Sequence, residues 1–193
     1  LVIPAFHQQY PGIDLNVFEE DVETLEKYLK EGIVEAAFLT MSPGTEPDSS
    51  RFRYERIFRE EVVLCMAKGS RYSVLAQDRQ DRRYPWLDLR LVEHETFLLL
   101  KKNMRLGQFS EEIFADYQMH PKIMRLSSID TALALVSQQY GIAFASSFRM
   151  EEHQQARALD IFSIGERVTE WDFVVVCPKD TAMKKPLCHL VNL

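Results

Sequence analysis

The sequence predicts an α/β fold in which helices cover both faces of mostly parallel sheets. Three observations carry that expectation. Helical and strand-like patterns alternate along nearly the whole chain, the order that strand–helix–strand units leave in a sequence. Two apolar runs, Val62 to Ala67 and Trp171 to Cys177, are nearly continuous, as strands buried on both faces are. The segment Arg125 to Ser147 holds a helix start, an apolar helical stripe, a glycine and a buried strand in close succession.

Taken in order, Leu1 to Tyr10 reads as a helix with Val2, Ala5 and Phe6 on its apolar face. Pro4 is tolerated in its first turn, and Pro11-Gly12 stops it. Ile13, Leu15 and Val17 alternate with Asp14 and Asn16, which predicts a strand. Glu19-Glu-Asp21 leads into a helix with Val22, Leu25 and Leu29 inward, ended by Gly32. Glu23 with Lys27, and Glu26 with Lys30, mark its solvated side. A strand over Ala36 to Leu39 feeds a polar loop, Thr40 to Ser50, that carries Pro43, Gly44 and Pro47. A loop directly after a strand's carboxyl end is where binding groups often sit, although a plain connection would look the same.

After the buried run comes a basic connector, Arg79 to Trp86. A strand over Thr96 to Leu100, a loop Lys101 to Gly107 and a helix with Phe109, Ile113 and Phe114 inward make a second α/β unit. Lys122 to Arg125 opens the strand that feeds Ser127. Ser127 and Asp130 fit a capping box, which starts a helix at Ser127 or Ser128. Ile129, Ala132, Leu133 and Val136 form its stripe, Gly141 ends it in a left-handed conformation, and Ile142 to Ala145 follow as a strand. In open sheets ligands lie beyond strand carboxyl ends against helix N-termini, so the serine pair is a candidate anion site; the plain alternative is that both serines merely cap. Pro178 breaks the last apolar run before a short helical stretch, Met183 to Leu193.

The 193 residues allow one medium domain or two small ones, and 46% hydrophobic residues suffice for a packed core. A formal charge of −6 removes the basic field that DNA binding requires, so the chain is not expected to hold DNA by itself. No transmembrane run or signal peptide is apparent, which predicts a soluble cytoplasmic protein with no membrane partner. Cys65 and Cys177 read as buried thiols; with Cys188 and the isolated histidines His7, His94, His120, His153 and His189 they form no metal or redox spacing. No metal and no cofactor are expected.

Several strings resemble the effector-binding domain of LysR-type transcriptional regulators. Phe6-His-Gln-Gln-Tyr-Pro-Gly-Ile-Asp-Leu15 is similar to that family's F-x-x-x-Y-P-x-V-x-L, and Leu29 to Phe38 to its L-x-x-G-x-x-D-x-A-I, with Glu35 in the usual aspartate place. Glu61 to Ala67 resembles E-P-L-V-L-V-x-P, and Ser127 to Ser147 resembles S-x-x-x-A-x-x-L-V-x-x-G-x-G-I-A-L-L-P, except that Ser146-Ser147 replaces the L-P ending. The resemblance implies two Rossmann-like lobes joined by two crossover strands, a periplasmic-binding-protein type II-like fold. The crossings would fall near Leu64 to Ala67 and between Ile164 and Trp171. Lobe I would then hold residues 1–66 plus 168–193, and lobe II residues 67–167. The resemblance further implies that the family's winged helix-turn-helix and first strand are absent from this chain.

By the same resemblance the chain is a ligand-sensing regulatory domain, with a small, anionic effector in the cleft between lobes and a shape change relayed to DNA-binding heads elsewhere in the regulator. The expected effector groups are Thr40, Met41 and Ser42 from lobe I, and Asn103, Arg105, Ser127, Ser128, Ala145 and Ser146 from lobe II. Arg105 would hold a carboxylate. Phe148 and Arg149 are rim candidates against plain surface placement. A homodimer or homotetramer is expected, with Val2 to Phe6 and Thr131 to Gln138 at the family's dimer surface. One rival is a transporter's solute-binding protein of the same two-lobe fold. Another is an enzyme, disfavoured because no G-x-G-x-x-G, G-x-S-x-G or Walker sequence occurs and no catalytic residue can be named; the acidic run Asp14, Glu19, Glu20 and Asp21 reads as a solvated face.

Overall fold

The computed structural model describes residues 2–42, 50–152, 157–179 and 185–192. It divides into two compact units, residues 1–59 with 172–193, and residues 60–171. Glu60 to Met66 is packed in the core of the second unit.

In the first unit, helix α1 (Val2–Gln9) buries Phe6, while Val2 and Ile3 stay exposed. Helix α2 (Val22–Glu31) starts where Asp21 accepts the Thr24 N–H at 2.9 Å and ends at Gly32, whose φ of 69° is the left-handed form that glycine adopts at little cost. Glu26 pairs with Lys30 as expected, whereas Lys27 reaches Glu31. Strand β1 (Ala37–Met41) runs antiparallel to β7 (Glu170–Pro178), which neighbours the first half of β2 (Phe52–Ala67). Leu29 of α2 lies over Ala37, Leu39, Val174 and Val176. The strand expected over Ile13 to Val17 does not form. Those residues join no ladder among the described residues, and Leu15, Val17 and Phe18 are exposed, so alternation alone did not supply a pairing partner.

The second unit is built around the second half of β2. Val62 to Met66 alternate strictly: Val62, Leu64 and Met66 face one apolar cluster, Val63 and Cys65 another. Helix α3 (Arg105–Tyr117) covers the first face through Phe109, Ile113 and Phe114, and α4 (Ile129–Ser137) covers the second through Ala132, Leu133 and Val136. On one side of β2 runs β5 (Ala143–Ser146) and on the other β6 (Leu159–Ser163), both antiparallel to it. Strand β3 (Thr96–Leu100) pairs in parallel with β4 (Lys122–Leu126) and bridges in parallel to Ile142 just before β5. The expectation of mostly parallel sheets is therefore corrected. Strands β1, β5, β6 and β7 pair antiparallel because β2 and β7 serve both units and their neighbours return against them.

Two close approaches fix the second unit further. Gly141 does not end α4 in a left-handed form; Gln139, at φ 62°, takes that conformation. A Cβ on Gly141 would lie 2.4 Å from the Thr96 carbonyl oxygen, so glycine is required there by the approach of β3. The Arg82 side chain is fully buried and donates to the carbonyls of Ile164, Gly165 and Glu166 at 2.8 to 3.2 Å, while the Trp86 indole donates to Gly165 at 2.7 Å. The basic connector of the sequence thereby clamps the turn that leads into β7.

Gly141→Ala is expected to destabilise the protein by about 1–3 kcal/mol, the range for overpacking, measured by urea unfolding. A change within error would show that β3 and the α4–β5 turn separate freely.

Candidate functional site

Strands β3, β4 and β5 point the same way, so their carboxyl ends open on one edge of the second unit. The Lys101 N–H donates to the Leu126 carbonyl at 3.1 Å, which holds the exits of β3 and β4 side by side. From these exits start α3, α4 and the short helix α5 (Ser147–Glu152). Helix N-termini present unpaired N–H groups and a positive dipole end, the physical basis for anion binding at such an edge.

Six expected residues lie on this edge. Ser127 is exposed and Ser128 half-buried. The capping box proposed for Ser127 and Asp130 is corrected: Ser127 lies in the bend that follows β4, and the extended Ser128 is the N-cap of α4, its hydroxyl accepting the Thr131 N–H at 3.4 Å. Asp130 instead pairs with Arg149. Ser146 caps α5 in the same manner, its hydroxyl accepting the Arg149 N–H at 3.3 Å. Asn103 is exposed in the β3–α3 connection. Arg105, expected in a loop, is the first residue of α3 because the helix already starts after the extended Met104; it pairs with Glu112 at 3.1 Å. Ala145 is wholly buried against α4 and Met150, so its methyl group faces core and its backbone pairs with Val63.

In the first unit Thr40 and Met41 pair with Phe173 and Asp172 of β7, and Ser42 follows the strand end; all three are half-buried. The rest of the expected loop, residues 43–49, lies outside the described residues. Phe148 is exposed on α5.

Sequence reasoning missed several charged groups near the second unit's edge. Arg125 donates to the Leu100 carbonyl at 2.8 Å and pairs with Glu111, which Lys102 also reaches at 2.7 Å. The Lys102 ammonium, followed by Arg125, holds the Glu111 carboxyl below its ordinary range against the opposing effect of burial. Glu60 and Glu61 are both buried. Glu60 accepts the Trp171 indole N–H at 2.6 Å and the Phe148 N–H at 3.2 Å. Burial pushes the Glu61 carboxyl up, against a Ser163 hydrogen bond and the Arg82 charge. Two adjacent acids opening an apolar run were the available signal. A concavity of about 800 Å³ lies elsewhere, beside the first residues of β4, lined by Phe114, Met119, His120, Pro121 and Ile123, and holds none of the expected effector groups.

Known proteins give this geometry a family. The family described as LysR substrate binding domain matches residues 1–193. The chain belongs to that family. A probable RuBisCO transcriptional regulator of Trieres chinensis is 23% identical over 169 residues, 84% of this chain and 52% of the relative. The chain spans about half the length of the curated relatives it matches. Among solved structures, the QuiR effector-binding domain in complex with shikimate has a TM-score of 0.71 at 15% identity, covering 99% of this chain and 85% of that one. The regulatory domain of Synechocystis PCC6803 CcmR in complex with 2-PG has a TM-score of 0.76 at 13% identity, covering 99% and 86%. This LysR substrate binding domain thus has the periplasmic-binding-protein type II-like fold of its neighbours, and its relatives are transcriptional regulators.

Ser128→Ala should cost about 1 kcal/mol in chemical unfolding, the usual worth of an N-cap; no loss would remove the cap. Glu111, whose folded carboxyl titrates below the unfolded value of about 4.3, stabilises the fold above that pH, and this contribution disappears as pH falls through the lowered folded value. The stability difference between wild type and Glu111→Gln should therefore be small but positive at neutral pH and low salt, shrink with salt, and vanish in acid.

Proposed function

We propose that this LysR substrate binding domain senses a small anionic effector and passes the resulting change of state to a DNA-binding domain of the full regulator, acting in the cytoplasm as a homodimer or homotetramer. The observation that carries the anionic part is the edge where the α3 and α4 N-termini open beside Ser127, Ser128 and Arg105. Shikimate, bound by a structural neighbour, is a carboxylate, which agrees with that chemistry. Backbone N–H groups and serine hydroxyls would hold one anionic end, with Arg105 turning from Glu112 to the ligand. The reading also includes Thr40, Met41 and Ser42 of the first unit, Asn103, Ser146 and the backbone of Ala145. An effector shifts the domain's equilibrium only by its different affinity for the two states. A transporter's solute-binding protein is less well supported, since the curated relatives are transcriptional regulators.

A thermal-shift screen of small carboxylates and phosphorylated acids tests the proposal. A ligand at 100 times its Kd stabilises by about 2.7 kcal/mol. Ser128→Ala and Arg105→Ala should remove most of a hit's shift, and Thr40→Ala should reduce it if the first unit contributes. Unaltered shifts in the first two variants would exclude the edge. Sedimentation showing a monomer at micromolar concentration would overturn self-association.

A further inference from the structure

Glu60 is a buried acid that the proposed effector chemistry does not use. It stands on β2 at the first residue of the second unit. A carboxylate withdrawn from water is costly unless its oxygens are occupied, and both of its oxygens are. Oε1 accepts the Trp171 indole N–H at 2.6 Å, a short charge-assisted bond, and Oε2 accepts the Phe148 N–H at 3.2 Å. The two donors belong to different elements: Trp171 is the second residue of β7, and Phe148 lies in the first turn of α5.

That turn is shared with an expected effector group. Ser146 takes the N–H of Arg149, and Glu60 takes the N–H one residue earlier, so the two acceptors divide adjacent orphan donors of one helix start. The next strand residue is tied to the same turn, because the Glu61 N–H donates to the Ser147 hydroxyl at 3.2 Å. On the far side, Trp171 is buried in the apolar cluster under α3 and meets the Phe109 ring edge-on at 6.3 Å. An amide or a hydroxyl offers one acceptor oxygen to both donors, whereas the carboxylate places a separate oxygen on each.

We propose that Glu60 is a positioning residue that couples the first turn of α5, beside Ser146, to Trp171 at the start of β7. A displacement of that turn alters one carboxylate oxygen and is felt at the other. Its importance for signalling rests on the proposed sensor role, but the coupling is tested without any effector, so its failure leaves that role standing.

The chain has two tryptophans, Trp86 and Trp171, which give two indole resonances in proton–nitrogen correlation spectra. Trp86 donates to Gly165 and serves as an internal control. Ser146→Ala should shift the Trp171 indole resonance in the wild-type background and leave that of Trp86 in place. In Glu60→Gln, which keeps one acceptor oxygen, the Trp171 resonance should start from a new position and no longer respond to Ser146→Ala. Glu60→Asp, one methylene shorter, should lose the response in the same way and serves if the glutamine variant fails to fold. A Trp171 response that persists in the Glu60 variants, or that is missing from the wild type, overturns the coupling.

Discussion

The constraint on which the second unit depends is the burial of β2 on both faces. Val62, Leu64 and Met66 need apolar partners on one side, and Val63 and Cys65 need them on the other. A strand in that position cannot slip by one residue without exchanging two complete sets of contacts, so its register is specified strongly. The helices then have little choice of place. Helix α3 must bring its phenylalanines to the first face, and α4 its Ala132, Leu133 and Val136 to the second. The helix starts consequently meet at the strand exits, and the candidate site arises from core packing before any polar group is considered.

That origin explains the double role of the serines. Ser128 and Ser146 each satisfy a backbone N–H at a helix start, and a ligand would compete with or join those bonds. Capping and anion binding use the same physics, an acceptor facing orphan donors, so neither role excludes the other. The ion pairs Arg105–Glu112 and Arg149–Asp130 give the edge internal counter-charges. An incoming anion would have to displace carboxylates already in place, which favours ligands with more than one polar anchor.

Much of the fold was legible because the signals were long and redundant. Strand β3 and the inward phenylalanines of α3 follow directly from apolar pattern, and α2 from Asp21, its leucines and Gly32. Short-range signals failed where tertiary contacts decided the outcome. Ile13 to Val17 alternate well but find no ladder, and Gly141 serves β3's approach instead of a helix cap. At the site, sequence placed Ser127 and Ser128 at a helix start but could not choose which of them caps, since adjacent positions differ only in backbone angles. Glu60, Arg82 and Arg125 escaped notice because their partners are distant in the chain: Trp171, the 164–166 carbonyls, and Leu100 with Glu111.

Arg82 also bears on which substitutions count as conservative. Its planar guanidinium spans three successive carbonyls from one buried position, and those oxygens converge on a fork rather than on a point. Lysine carries the same charge, but its compact, strongly hydrated ammonium cannot reproduce that spread without leaving acceptors dry. Charge-preserving exchange at this position is thus a change of shape, and homologous chains with lysine there would need a differently folded turn ahead of β7.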